Sequence, residues 1–144
     1  MCPGAEYGPT KRWPTSHFAE LAQKLASQNP NTQFILLGGK GDRKLAKEIC
    51  IKAQEVKNIH NWCGSTSLDE AIALIGMGKA VISNDSGLMH IAAAIGTDLL
   101  AIYGSTSPHH TPPLAKNAKY MWLQLECSPC FKRNCPLGHT KCLM

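Results

Sequence analysis

The sequence predicts a doubly wound, Rossmann-like α/β domain with a parallel sheet. Short apolar runs alternate along the chain with segments whose apolar residues recur every three or four positions. The connections between them are short and polar, as they are in strand–helix–strand units. Apolar residues make up 44% of the 144 residues and charged residues 17%, which suffices for one packed domain.

Helices and strands alternate in the first half of the chain. Residues 16–27 have apolar side chains at helical spacing, and an Asn-Pro-Asn sequence then ends the helix. The apolar run 33–37 ends in two glycines, as a buried parallel strand does. Asp42 can cap a second helix, which keeps apolar residues on one face as far as Val56. Residues 59–63 form a weaker strand.

The second half of the chain continues the alternation. Ser67 and Glu70 have the spacing of a capping box, which predicts a helix over residues 71–77. The apolar run 80–83 is the clearest strand of the chain. The remaining predicted elements are a helix over residues 87–95 and strands over residues 98–103 and 120–125.

Four loops follow the predicted strands on one edge of the sheet. In doubly wound sheets, ligands bind outside the carboxyl ends of the strands, so these loops are the candidate binding region. They also concentrate Gly, Ser, Thr, Asp, His and Lys, although loops are polar in any protein. The four loops are residues 4–13, 38–42, 84–90 and 104–113.

The loop at residues 84–90 has the chemistry of a phosphate site. Ser86 and Gly87 begin a helix, and their N–H groups with the positive end of the helix dipole can bind an anion. Asp85 would repel a phosphate, but it can accept hydrogen bonds from sugar hydroxyls. His90 lies about one turn further along the helix. The alternative is that Asp85 or Ser86 simply caps the helix.

The loop at residues 4–13 also offers groups that can bind a phosphate. Thr10, Lys11 and Arg12 lie together before the first helix. Trp13 is more consistent with packing beneath the loop than with stacking on a base. The Ser/Thr-rich turn at residues 104–108 is a second possible anion-binding turn.

Several function classes find no support. The sequence has no Walker-type P-loop, no Gly-rich dinucleotide fingerprint, no nucleophile elbow and no zinc-protease helix motif. It also has no apolar stretch long enough to cross a membrane. The net charge of +5 comes from scattered residues, which fits a solvated surface or an anionic partner.

The last 19 residues contain a cluster of cysteines with metal-ligand spacing. Thiolates bind Zn²⁺ tetrahedrally, and a C-x-x-C turn brings two sulfurs together. A structural zinc site, reduced or disulfide-paired cysteines, and an iron–sulfur cluster all remain open. The candidate ligands are Cys127, Cys130, Cys135 and Cys142, with His139 between the last two.

Four motifs in order resemble one family of enzymes. They are residues 3–14 (PGAEYGPTKRWP), 64–68 (GSTSL), 84–90 (NDSGLMH) and 103–108 (YGSTSP). Together they resemble the ADP-heptose:lipopolysaccharide heptosyltransferases, most of all their heptosyltransferase II branch. The resemblance covers nearly the whole chain.

The resemblance implies the GT-B fold, in which two Rossmann-like domains face each other across a cleft. This chain resembles the C-terminal, donor-binding domain. We expect residues 1–125 to form that domain without its first strand, and residues 126–144 to form a Cys-rich tail. The lipopolysaccharide acceptor and the catalytic base would belong to an N-terminal domain, so this fragment alone is expected to be inactive.

The resemblance also implies roles for the flagged residues. Heptose would pass from ADP-heptose to the first heptose of the lipopolysaccharide inner core, with inversion, in the cytoplasm or at the inner face of the inner membrane. Lys11 and Asp85 would be the catalytic residues: Lys11 neutralises the diphosphate and Asp85 holds sugar hydroxyls. No cofactor is expected for catalysis, because no Asp-x-Asp motif occurs. The implied donor-binding set is Thr10, Lys11, Asp85, Ser86, Gly87 and His90.

Two other functions are compatible with the same residues. One is a GT-B-type enzyme that uses another sugar nucleotide. The other is a zinc-stabilised nucleic-acid-binding module, suggested by the net charge and by Lys132, Arg133 and Lys141 near Phe131. A purely structural zinc tail explains the latter residues equally well, so no nucleic-acid partner is expected.

Overall fold

A computed structural model describes all 144 residues as four α-helices packed on parallel β-strands. Three short 3-10 turns complete the regular structure, at Pro9–Lys11, Lys40–Asp42 and Lys141–Leu143. The main elements are, in order, α1 (Thr15–Gln28), β1 (Phe34–Leu36), α2 (Arg43–Lys52), β2 (Ile59–Asn61), α3 (Leu68–Met77), β3 (Val81–Asn84), α4 (Gly87–Ile95), β4 (Leu99–Tyr103) and β5 (Ala118–Trp122).

Every strand pair is parallel, which confirms the predicted fold class. β1 pairs with β2, and β3, β4 and β5 form a second set in that order. The extended residues Met1 and Cys2 lie between β1 and β3 and join the two sets. The order across the molecule is therefore β2, β1, residues 1–2, β3, β4, β5, which is that of a dinucleotide-binding type sheet.

Residues 1–2 bond to both neighbouring strands. The Met1 ammonium donates to the Ile35 carbonyl at 2.7 Å, and Leu37 N–H donates to the Met1 carbonyl at 2.9 Å. On the other side, Cys2 N–H donates to the Ile82 carbonyl at 2.8 Å, and Asn84 N–H donates to the Cys2 carbonyl at 3.3 Å. These main-chain bonds are the link between the two sets of strands.

Helices cover both faces of the sheet. One buried cluster includes Phe18 of α1 and Ile49 of α2, packed with Leu36 of β1. The other includes Ile75 of α3 and Met89 of α4, packed with residues of β3 and β4. Side chains alternate between faces along a strand, so successive residues of one strand enter different clusters. The fold thus has two apolar layers, as a doubly wound domain requires.

The prediction for Asp42 is wrong. Its side chain does not cap α2; instead its carboxylate accepts a hydrogen bond from Gly39 N–H at 2.9 Å. A short acidic side chain can bond backward as well as forward along the chain, and here the preceding 3-10 turn offers the nearer donor. Helix α2 also ends at Lys52, although Ala53 and Val56 remain buried beyond it.

The capping box before α3 is confirmed. Ser67 Oγ accepts from Glu70 N–H at 3.2 Å, and Glu70 Oε2 accepts from Ser67 N–H at 2.7 Å. This reciprocal pair satisfies donors that the first turn of a helix otherwise leaves unpaired. It also lowers the pKa of the Glu70 carboxyl, chiefly through the bond from the Ser67 backbone N–H.

The tail at residues 126–144 is irregular until its final 3-10 turn. It packs against the domain, and Leu143 is buried beside Gly104 at the end of β4. No helix of the chain is long and apolar enough to span a bilayer.

Candidate functional site

Asp85 is the centre of a polar site at the carboxyl edge of the sheet. It follows β3 directly, and its side chain is only 3% exposed. Its Oδ2 accepts from Lys11 Nζ and from Thr106 Oγ1, each at 2.6 Å, and from Thr111 Oγ1 at 3.3 Å. Its Oδ1 has no partner in the protein, yet it is not sealed from solvent. One carboxylate oxygen thus fixes the side chain, and the other stays free to accept.

Lys11 enters this site from the loop before α1. Its side chain is 12% exposed, and its ammonium lies 5.0 Å from the centre of the Tyr7 ring. An ammonium has three donors, and Asp85 uses one of them. The pair therefore neutralises the Asp85 charge while leaving donors for a second anion. The two residues predicted to be catalytic meet here, 74 positions apart in sequence.

The β4 end of the site contains residues that the sequence analysis did not select. Thr106 and Thr111 donate to Asp85, and the Tyr103 hydroxyl donates to the Thr111 carbonyl at 2.5 Å. Burial raises the pKa of Tyr103, and the nearby Asp85 charge raises it further, so this hydroxyl stays protonated. The sequence analysis marked residues 104–108 as a possible anion-binding turn and residues 103–108 as a motif, but it gave none of these three side chains a role.

The first turn of α4 opens beside Asp85. Ser86 precedes the helix without making a side-chain cap, and the N–H groups of Gly87 and Leu88 have no acceptor in the protein. A Cβ added at Gly87 would meet nothing within 4 Å. Ser86 is half-buried, and Gly87 and His90 are exposed. Free N–H groups at the positive end of a helix dipole can bind a phosphate.

Asn84 connects the two loops that carry Lys11 and Asp85. It is fully buried; its Oδ1 accepts from Trp13 N–H at 3.0 Å, and its Nδ2 donates to the Pro3 carbonyl at 2.7 Å. The Trp13 ring packs edge-on against Phe18 beneath the loop, as predicted. Asn84 therefore fixes the spacing between the lysine loop and the start of α4.

Thr10 does not face the open helix turn. It is buried, and its hydroxyl donates to the Lys132 carbonyl at 2.5 Å while it accepts from Ser105 Oγ at 3.1 Å. The hydroxyl of Thr10 is therefore committed within the protein and has no proton left for the diphosphate that it was predicted to hold. Instead, Thr10 joins its loop to the tail.

The loop at residues 38–42 does not contribute a residue to the group around Asp85. The Asp42 carboxylate fills the space between this loop and the N-terminal loop, because a Cβ on Gly4 would lie 2.3 Å from Asp42 Oδ2. Three of the four predicted loops therefore meet around Asp85.

One basic residue of the tail that the nucleic-acid interpretation invoked, Arg133, bonds to the N-terminal loop. The Arg133 guanidinium donates to the Tyr7 carbonyl at 2.6 Å and to the Glu6 carbonyl at 3.3 Å, so it is used within the molecule. All four tail cysteines are free thiols. No three histidine, cysteine, aspartate or glutamate side chains converge on a point that would hold a metal ion.

Comparison with known proteins gives the family. The model of glycosyltransferase family 9 (heptosyltransferase) matches residues 1–141. The chain is similar to lipopolysaccharide heptosyltransferase 2 of Escherichia coli strain K12, with 44% identity over 125 residues, 85% of this chain and 35% of that protein. It is also similar to lipooligosaccharide heptosyltransferase 2 of Campylobacter jejuni serotype O:2, with 36% identity over 98% of this chain and 44% of that protein.

Structural comparison agrees. The chain superposes on the solved structure of E. coli ADP-heptose lps heptosyltransferase II with a TM-score of 0.81 and 39% identity, covering 99% of this chain and 44% of that one. The chain thus spans less than half the length of each of these three relatives. Since the family model extends over almost every residue, the chain belongs to glycosyltransferase family 9, the heptosyltransferases.

Proposed function

We propose that this chain is the donor-binding part of an enzyme that transfers heptose from ADP-heptose to the lipopolysaccharide inner core. The observation that carries the proposal is the Lys11–Asp85 pair, fixed directly beside the uncapped first turn of α4. A cation, free N–H donors and a free carboxylate oxygen at one place suit a ligand that carries both phosphates and hydroxyls.

The diphosphate would bind at the start of α4. The N–H groups of Gly87 and Leu88 have no acceptor of their own, and Lys11 has ammonium donors to spare. The exposed His90 and the half-buried Ser86 border the same turn. Asp85 Oδ1 would accept a hydroxyl of the heptose or the ribose.

In the proposed reaction, the bond between the anomeric carbon and the diphosphate oxygen breaks, and its electron pair leaves with ADP. The acceptor hydroxyl oxygen bonds to the opposite face of that carbon and loses its proton to a base outside this chain. Lys11 and the α4 dipole stabilise the charge that grows on the leaving group. This would remove the need for a metal, so transfer by the full-length enzyme should survive EDTA.

ADP-heptose is preferred over other sugar nucleotides because of the relatives. The E. coli protein that shares 39% identity is described as an ADP-heptose heptosyltransferase, and both curated relatives are named for transfer of heptose to lipopolysaccharide or lipooligosaccharide. In this proposal the enzyme works in the cytoplasm, against the inner face of the inner membrane, where a lipid-linked acceptor is available. Fractionation of cells that express the full-length protein tests the location.

Calorimetric titration of this chain with ADP and with UDP tests donor recognition. We expect ADP to bind and UDP to bind at least about ten-fold more weakly, a difference of about 1.4 kcal/mol. Lys11→Ala should weaken ADP binding by about ten-fold or more, because a charge-assisted contact to phosphate is lost.

Lys52→Ala is the matched control. Lys52 also pairs with a carboxylate, with its Nζ 2.7 Å from Glu48 Oε1, but that pair is exposed on α2. ADP affinity should be unchanged in this variant. Equal binding of ADP and UDP would favour another sugar nucleotide. Failure of both to bind a folded chain would contradict the assignment of the site.

A further inference from the structure

Two loops bring donors to Asp85, and these donors directly follow a pair of bonded residues. Lys11 and Thr106 donate to the same carboxylate oxygen, Oδ2, each at 2.6 Å. The residues just before them in the chain, Thr10 and Ser105, are bonded to each other. The positions of both donors on Asp85 therefore depend on how the two loops are joined one residue earlier.

Two hydrogen bonds join these loops. Ser105 N–H donates to the Thr10 carbonyl at 3.1 Å, and the Ser105 hydroxyl donates to the Thr10 hydroxyl, also at 3.1 Å. Both residues are buried, Ser105 completely. A hydrogen bond that water does not compete for is stronger and better defined than an exposed one. The join therefore fixes the spacing of the two loops.

The tail accepts the one proton of the Thr10 hydroxyl. This hydroxyl lies 2.5 Å from the Lys132 carbonyl and 3.1 Å from the Arg133 carbonyl. Because its proton is used there, its oxygen is left to accept from Ser105. Phe131 N–H of the tail also donates to the Ser105 carbonyl, at 2.8 Å. The tail thus bonds to both residues of the pair.

The acceptor segment of the tail has anchors of its own. The Tyr7 hydroxyl donates to the Phe131 carbonyl at 2.5 Å, and the Arg133 guanidinium donates to the Tyr7 carbonyl at 2.6 Å. These bonds hold the residues on both sides of Lys132. The carbonyl that Thr10 uses is therefore kept in place by contacts that do not involve Thr10.

We propose that Thr10 is a positioning residue of the donor site, and that the tail takes part in the site through it. The inference rests on the proposed function, since it concerns what holds Lys11 in place. Thr10 touches no ligand in this proposal. Bonded to the tail on one side and to Ser105 on the other, it fixes the 3-10 turn Pro9–Lys11. That turn in turn holds the Lys11 ammonium on Asp85, with its other donors left for the diphosphate.

Thr97 offers a matched control for a purely structural role. It too is a buried threonine, and its hydroxyl donates to the Ile75 carbonyl at 3.0 Å. It lies between the end of α4 and the start of β4, at the opposite edge of the sheet from Asp85. Thr10→Val and Thr97→Val both replace a bonded hydroxyl with a methyl group, so both should melt at a lower temperature. Only a positioning role separates their effects on the site.

Calorimetric titration with ADP, at a temperature where all variants are folded, is the first test. Thr10→Val should raise the dissociation constant by about five-fold, because Lys11 is no longer held in its binding position. Thr97→Val should stay within about two-fold of the unaltered chain, since it is distant from the site. Thr10→Ser keeps a hydroxyl that can donate to the same carbonyl, and it should restore most of the affinity.

Acetylation of lysines tests the same inference without a nucleotide. Lys11 is 12% exposed and paired with Asp85, so its amine should react slowly with acetic anhydride. Thr10→Val should speed this reaction relative to that of Lys52, which is 41% exposed and serves as the internal reference. Mass spectrometry of the digested chain measures the ratio. Thr10→Ser and Thr97→Val should keep the ratio of the unaltered chain.

Two results would overturn the proposal. One is a Thr10→Val variant with the ADP affinity and the Lys11 acetylation of the unaltered chain. The other is a loss of affinity in Thr97→Val as large as that in Thr10→Val. If the unaltered chain binds no ADP, the proposed function fails, and the acetylation alone decides whether Thr10 positions Lys11.

Ser105→Ala serves as the second variant if Thr10→Val does not fold. It removes the hydroxyl that donates to Thr10 and leaves the bond from Thr10 to the tail intact. Both the affinity and the acetylation should change in the same direction as in Thr10→Val, by a smaller factor. No change in either would overturn the proposal.

Discussion

All four helices of this domain begin at the same edge of the sheet, and three of them, α2, α3 and α4, begin in different ways. The turn before α2 is occupied by the Asp42 carboxylate, which accepts from Gly39 N–H. The first turn of α3 is closed by the Ser67–Glu70 capping box. The first turn of α4 has no side-chain cap: its N-cap residue is Ser86, whose Oγ lies 3.3 Å from Ser83 Oγ. Asp85, which precedes Ser86, is held by Lys11, Thr106 and Thr111.

This difference shows what leaves one of several topologically similar helix starts open to a ligand. At the 3-10 turn that leads into α2, and at the first turn of α3, a local acidic side chain accepts from a backbone N–H that an anionic ligand could otherwise use. At α4, residues distant in sequence hold the acidic side chain away and supply a cation. A helix start is available for a ligand only where the chain does not fill it.

Removal of the Asp85 carboxylate, beside the uncapped start of α4, should have the largest effect on stability. Asp85→Ala leaves the Lys11 ammonium and two threonine hydroxyls without their acceptor in a nearly buried place. We expect the free energy of unfolding to fall by about 3 to 5 kcal/mol. Urea denaturation measures it. Asp42→Ala, at the start of α2, should cost only about 1 kcal/mol, since it loses one hydrogen bond near the surface. Equal losses in the two variants would mean that the two starts do not differ as described.

A methyl group added near the start of α2 should destabilise the domain more than one added at the start of α4. The difference in the free energy of unfolding should be smaller than that between Asp85→Ala and Asp42→Ala. A Cβ at Gly38 would lie 2.7 Å from Asp42 Oδ2 and 3.1 Å from Cys63 Sγ. Gly38→Ala should therefore destabilise the domain by about 1 to 3 kcal/mol. Gly87→Ala enters open space and should change stability by less than about 0.5 kcal/mol. Thermal unfolding of both variants makes the comparison, and a large loss at Gly87 would show that the α4 start is not open.

Loss of the side-chain cap of α3 should lower the stability of the domain by a moderate amount. Ser67→Ala removes the acceptor of the Glu70 N–H and should cost about 1 kcal/mol. Ser86→Ala, at the corresponding position before α4, should cost clearly less, because Ser86 makes no cap bond. Denaturant titration of the two variants is the measurement. A cost at Ser86 equal to that at Ser67 would contradict the uncapped start.

The pH dependence of the α3 cap should be the smallest effect. The pKa of Glu70 is lowered in the folded chain from its ordinary value of 4.5. Its stabilising contribution is therefore fully present above that value, and it is lost as the pH falls through the folded pKa. Glu70→Gln should lose less stability than the unaltered chain between about pH 5 and pH 3. Glu20→Gln, on the exposed side of α1, is the control and should follow the unaltered chain.

The sequence was sufficient for features that depend on neighbours along the chain. Strand runs, helical spacing and the Ser67–Glu70 pair all act over a few residues, and the structure has each of these elements. The same local logic failed at Asp42, where two donors were within reach of one carboxylate and the pattern could not choose between them.

Contacts between segments that are distant in sequence could not be predicted from the sequence. The Lys11–Asp85 pair joins loops 74 positions apart, and the Thr10–Lys132 bond joins segments 122 positions apart. Both residues of the first pair were selected, but their direct contact depends on the order of strands in the sheet. Thr10 was assigned to the ligand because nothing in its neighbourhood indicates that the tail returns to it.

The narrow join made by Met1 and Cys2 has a consequence for the cooperativity of this domain. Four main-chain hydrogen bonds from two residues unite a half-sheet backed by α1 and α2 with a half-sheet that carries Asp85. Parts of a protein that share few such bonds open as separate cooperative units. Loss of these four bonds would therefore weaken the coupling between the half that carries β1 and β2 and the half that carries β3, β4 and the start of α4.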